Sequence, residues 1–117
     1  MTLKECYQEL EGDYEGVLNR LSSEALVKKF ALKFLADESF HKLERAMEDK
    51  DCKEAFNAAH TLKGVSANLS FTKLTRAASD ITEQLRGGEL CAECYLDFVR
   101  EVYEQTIAAL EKLQAEQ

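Results

Sequence analysis

The chain contains no proline and only five glycines among its 117 residues. Without proline, nothing in the covalent chain forces a helix interior to break. With so few glycines there is no glycine-rich phosphate loop and no G-x-x-x-x-G-K-S/T stretch, so ATP chemistry of that kind is excluded. An excess of basic residues is also missing. The net charge is -7, which argues against a nucleic-acid surface and against docking on anionic membranes. No apolar run approaches the roughly 20 residues of a membrane span. The first residues, MTLKECYQEL, lack a charged segment followed by an apolar core, so no signal peptide is expected and the cytoplasm is the expected compartment. Four cysteines, Cys6, Cys52, Cys91 and Cys94, read as reduced thiols rather than a disulfide framework, since no export signal accompanies them. Cys91 and Cys94 form one C-x-x-C, but zinc usually wants four soft ligands and no strand–helix unit accompanies the pair.

What is present is a helical composition. Hydrophobic residues make up 45% and charged residues 32% of the chain, which is globular rather than disordered. Ala, Leu, Glu and Lys dominate, and these favour helices. The length fits one domain, residues 1–117, with a core of its own.

Apolar spacing predicts two short helices first: 3–10, with Leu3, Cys6, Tyr7 and Leu10 inward, then one capped by Asp13, with Tyr14, Val17, Leu18 and Leu21 inward. A long helix follows over about 23–49, through Val27, Phe30, Phe34, Phe40, Leu43 and Met47. It carries a kink site near Asp37, where Asp37 and Ser39 can also cap a new start. Further helices are predicted over about 52–68, 71–86 and 91–114. Ser70 is placed to cap the third of the four long helices, and Gly87–Gly88 end it. The last carries Tyr95, Phe98, Val99, Val102, Tyr103, Ile107, Leu110 and Leu113. Four long amphipathic segments with tight turns predict an all-α, antiparallel up-down four-helix bundle, with the short N-terminal helices capping one end.

The segment AFNAAHTLKGVSANLSF, residues 55–71, carries the chemistry. With His60 set at zero on a helical wheel, Leu62 and Leu69 fall at about 200° and 180°, beside Ala55 and Ala58. That side is the core stripe. Phe56, Asn57, Lys63, Gly64 and Ala67 all fall within about 60° of His60 on the opposite side. An outward histidine or lysine alone is ordinarily a solvated surface residue. The glycine changes the balance, because glycine inside a helix costs about 1 kcal/mol relative to alanine. Either another helix packs closely there, or a visitor needs to approach the backbone beside the imidazole. A neutral imidazole is a nucleophile, and a lysine one turn along stabilises an anion placed on it. Phosphoryl is the natural such anion.

HTLKG followed by SANL resembles the signature of histidine-containing phosphotransfer (HPt) domains, H-x-L-K-G, small residues, then Leu and usually Gly. His60, Leu62, Lys63, Gly64 and Leu69 are in place. The aromatic-rich helix before the site, the acidic turn ending at Asp51 and the later AASDI are also similar to that family. The resemblance implies a phosphocarrier without kinase activity of its own. It would take a phosphoryl group from the aspartate of a response-regulator receiver domain and pass it to another. One receiver would belong to a hybrid histidine kinase and the other to a downstream regulator. By position, His60 is the phosphoryl acceptor, Lys63 stabilises charge and Gly64 gives clearance. Phe56, Asn57 and Ala67 form the docking surface, with side chains of the preceding helix. No cofactor is implied on this chain, since Mg²⁺ belongs to the partner receiver. A monomer is expected.

Two positions depart from the family pattern. Ser70 stands where glycine is usual. Where many members place a Gln or Glu that hydrogen-bonds the imidazole, this chain has Thr82, with Glu83 or Ser79 as substitutes. His41 has none of the neighbours of His60 and reads as a surface or boundary residue. A docking module that never takes phosphate, and a metal or redox bundle using Cys91, Cys94 and a histidine, are the competing readings.

Overall fold

A computed structural model of the protein describes residues 1–88 and 93–116. The described chain is helical throughout. Its elements are α1 (Leu3–Glu9), α2 (Tyr14–Leu21), α3 (Glu24–Lys33), a 3₁₀ turn (Phe34–Ala36), α4 (Ser39–Glu48), α5 (Cys52–Asn68), α6 (Thr72–Arg86) and α7 (Glu93–Ala115). The α3–α4 pair, α5, α6 and α7 form the antiparallel up-down bundle. α5 is the central helix and packs most extensively on α6 and α4. The predicted start of the last helix at Cys91 lies outside the described residues.

The helix starts follow local chemistry. Asp13, Ser23 and Asp51 accept hydrogen bonds from the backbone N–H groups of Gly16, Leu26 and Glu54, so each satisfies a donor that the helix itself cannot. Thr2 and Glu5 form a reciprocal capping box at α1.

The predicted helix over 23–49 is corrected: it is two helices separated by the 3₁₀ turn and an extended Asp37, whose carboxylate accepts from Ser39 N at 3.0 Å. Core geometry explains the break. Phe34 and Phe40 are six residues apart, about 240° around a continuous helix, so they would face different ways. The turn re-aims them onto the same partner: Phe40 stacks on Tyr103 with centroids 4.2 Å apart, and Phe34 meets Tyr103 at 6.0 Å and Phe71 at 5.4 Å.

The buried line of α3 runs through Val27 and Ala31 to Phe34, which puts Phe30 on the flank. Phe30 is 37% exposed and Phe98 on α7 is 45% exposed, so neither joins the core as its spacing suggested. The inward lines of α5 (Ala55, Ala58, Leu62, Leu69) and α6 (Leu74, Ala78, Ile81, Leu85) are buried as read.

α1 and α2 close the end of the bundle where α5 turns into α6. α1 lies along α7. The Tyr7 hydroxyl donates to Leu69 O at 2.7 Å, and Asp13 N donates to Ser70 O at 2.8 Å. The approach is close enough that a Cβ on Gly12 would lie 2.6 Å from Ser70 O, which makes glycine necessary there. Burial makes the Tyr7 hydroxyl much harder to ionise and pushes the neighbouring Cys6 thiol up to about 11, so both remain neutral core groups.

Candidate functional site

α5 presents the site because its two faces differ. Ala55, Ala58, Ala59, Leu62 and Ser66 are buried. His60 is exposed on the far side, together with Asn57, Gly64 and Ala67, while Phe56 and Lys63 are half-buried at its edge. The structure therefore brings His60, Lys63, Gly64, Phe56, Asn57 and Ala67 onto one surface.

A Cβ built on Gly64 meets nothing within 4 Å. Packing among the described residues does not require the glycine, so no described helix supplies the close-packing explanation. Lys63 makes no ion pair among the described residues. The Glu83 carboxyl is held below the usual carboxylate range first by its hydrogen bonds from Arg86, then by the Arg86 charge, with a further contribution from Lys63.

The expected orienting residue is placed elsewhere. Thr82 is fully buried, and its hydroxyl donates to Ala78 O at 2.6 Å within α6. Glu83 is engaged by Arg86 through two bonds of 3.2 Å. Ser79 lines a cleft with Lys63, Ala67, Arg76 and Asp80. None of these three hydrogen-bonds His60. What lies beside the imidazole is Phe56: the two rings are parallel to within 3°, with centroids 6.1 Å apart. The Arg86 guanidinium sits 5.2 Å from the Phe56 ring centroid.

Ser70 is also corrected. It does not cap α6, whose N-cap position is Phe71 with no side-chain bond. Ser70 instead occupies the left-handed region at φ 56°, the conformation that glycine adopts without strain. Its hydroxyl accepts from Arg20 at 2.7 Å, and the same guanidinium nitrogen lies 2.8 Å from Asn68 O and 3.3 Å from Ala67 O. A cation thus satisfies carbonyls at the negative end of the site helix.

A groove of about 390 Å³ flanks the site between α3 and α5, lined by Leu21, Phe30, Lys33, Phe34, Val65 and Leu69, among others. Val65 lies about 140° around α5 from His60, so the groove sits on the flank of the site helix. Lys29 and Lys33 hold their ammonium groups 6.0 and 5.6 Å from the Phe30 ring centroid. Sequence spacing missed this surface because it placed Phe30 in the core. The signal available was the displacement of Phe30 from the Val27–Ala31–Phe34 line.

Residues 33–116, well over half of the chain, match the family model of the Hpt domain. The chain belongs to the Hpt domain family. Hpt domains are phosphocarriers of two-component signalling, a role that implies interaction with receiver domains. No curated protein and no solved structure matches the chain at a significant level. The Hpt match contains the whole of α5, so the His60 surface lies within it, whereas α1, α2 and all but the last residue of α3 precede it. No described helix is long and apolar enough to cross a membrane. Among the described residues no group of three or more His, Cys, Asp or Glu is arranged to hold a metal ion. Cys94 is an exposed free thiol, and Cys91 lies outside the described residues.

Proposed function

We propose that His60 accepts a phosphoryl group from the aspartyl phosphate of one receiver domain and delivers it to the aspartate of another. The observation that carries this reading is the pairing of an exposed imidazole with a glycine that its own fold does not need. Gly64 leaves the backbone beside His60 open to a docking partner. In the acceptance step the imidazole lone pair forms the P–N bond while the acyl-phosphate P–O bond breaks, and the electron pair leaves on the partner's carboxylate. The step is reversed on delivery. Positioning and charge stabilisation dominate such transfers. Lys63 supplies a cation three residues along, and Mg²⁺ acts from the receiver. Phe56, Asn57 and Ala67 form the contact surface around His60. Carriage by a cytoplasmic monomer, between a hybrid kinase's receiver and that of a downstream regulator, fits this surface.

The deciding experiment is label transfer from a phosphorylated receiver domain to the wild-type protein and to His60→Gln. Transfer to wild type alone, with both proteins equally helical, supports the reading. Undiminished label on the variant sinks it. One observation favours the docking-module alternative: among the described residues no side chain hydrogen-bonds His60 to aim it. Receiver binding that survives His60→Gln, with no phosphohistidine in wild type, would establish that alternative.

A further inference from the structure

We infer that Phe56 sets the orientation of the His60 imidazole by ring stacking, in place of a hydrogen bond from α6, and is a positioning residue for the phosphotransfer proposed above, on which this inference rests. Phe56 and His60 are four residues apart on α5, so their side chains are neighbours on one face. Helical side chains lean toward the N-terminus, which tips the imidazole over the turn that carries Phe56. Their rings lie within 3° of parallel at 6.1 Å, inside the range over which aromatic rings attract in an offset arrangement.

Phe56 is itself held. It packs against the core as a half-buried side chain. Arg86 lies 5.2 Å from its ring centroid, within cation–π range, and Arg86 is tied in turn to Glu83 by two hydrogen bonds. A groove formed by Cys52, Lys53, Phe56, Leu85 and Arg86 completes this setting. The α6 hydroxyl expected to hold the imidazole is sealed in the core on Ala78 O. The stacked ring is therefore the restraint that the structure provides. An exposed imidazole otherwise samples several χ1 wells and a broad χ2, and only some of those place its nitrogen in line with an incoming phosphorus.

The test compares wild type, Phe56→Leu and Phe56→Tyr. Leucine keeps an apolar side chain on the docking surface and removes the ring, while tyrosine keeps both. Transfer from a phosphorylated receiver domain is measured against receiver concentration, and the His60 ring-proton shifts are read by NMR on the unphosphorylated proteins. In Phe56→Leu the saturated transfer rate should fall roughly 3- to 10-fold, the change in rotamer population that a stacked pair commands. The half-saturating receiver concentration should hold, and the His60 ring protons should lose the ring-current shift of the neighbouring aromatic. Phe56→Tyr should restore rate and shift together. A leucine variant with the wild-type saturated rate overturns the inference, as does one in which only the half-saturating concentration rises, which marks a docking contact and nothing more. If wild type accepts no phosphoryl group, the phosphocarrier reading fails instead, and the ring-proton shifts still decide whether Phe56 orients the ring.

Discussion

His41 and His60 each lie exposed on the outer face of a helix, and each is followed three residues later by an ionic side chain. Three residues after His41 stands Glu44, whose carboxylate lies 3.5 Å from Nδ1 and is shared with Arg100 at 3.1 Å. The His41 ring also meets the edges of Phe40 and Tyr103, each at 5.8 Å. Three residues after His60 stands Lys63, which pairs with no described acid, and the next position is an unobstructed glycine. Spacing is common to both, so spacing alone does not set the proposed acceptor apart. The sign of the neighbouring charge and the clearance beside the backbone differ. The acid beside the first histidine is already held by Arg100, whereas the cation beside the second is open to an incoming anion.

The largest expected effect is on the acceptors themselves. His60→Gln should lose all phosphoryl transfer in a receiver-to-carrier assay, while His41→Gln should transfer as wild type does. Label on His41 would break the comparison outright. Next comes charge: Lys63→Glu gives His60 the neighbour that His41 has. It removes a charge-assisted contact and adds repulsion, and initial transfer rates should drop roughly 30-fold or more. Clearance follows. Gly64→Leu should weaken transfer at sub-saturating receiver about 10-fold, the scale of forcing extra bulk into a packed contact, with the circular dichroism spectrum unchanged.

Gly64→Ala separates docking from folding. A methyl group there touches nothing, so thermal or chemical denaturation should show a gain of about 1 kcal/mol from helix propensity alone. A loss of stability would mean that the chain's own packing uses the glycine. The smallest effect belongs to His41. Glu44→Lys should cost less than about 1 kcal/mol by chemical denaturation, since ion pairs near the surface contribute little. It should not create a second acceptor, because the backbone beside His41 has no glycine opening.

The surface around His60 was legible in the sequence because one helix carries His60, Lys63, Gly64, Phe56, Asn57 and Ala67, and a helical wheel separates its two faces. The inward lines of α1, α5 and α6 were legible for the same reason. What escaped depends on how separate helices rotate against one another. Phe30 and Phe98 have helical spacing to core residues yet sit at the edge of their buried stripes. Thr82 falls on the buried line of α6, where its hydroxyl turns back to its own helix. Arg86 reaches Phe56 from thirty residues away, and Arg20 reaches Ser70 from fifty, with nothing in local pattern to announce either contact. The division of residues 23–49 was signalled by Asp37 and Ser39. That the chain breaks there follows from two phenylalanines converging on Tyr103.

The clasp of α1 and α2 over the α5–α6 turn bears on how this protein can be cut and transplanted. The recognisable signature begins at residue 33, but Tyr7, Asp13 and Arg20 bond the carbonyls of Ala67, Asn68, Leu69 and Ser70 from before that point. A fragment trimmed at the signature's edge would lose those donors at the foot of α5. It would also uncover the Phe71 ring that Tyr7 meets at 5.6 Å. Chimeras that graft this carrier into another relay should therefore place the joint ahead of α1, because the stretch that identifies the family is shorter than the stretch that holds its working helix in place.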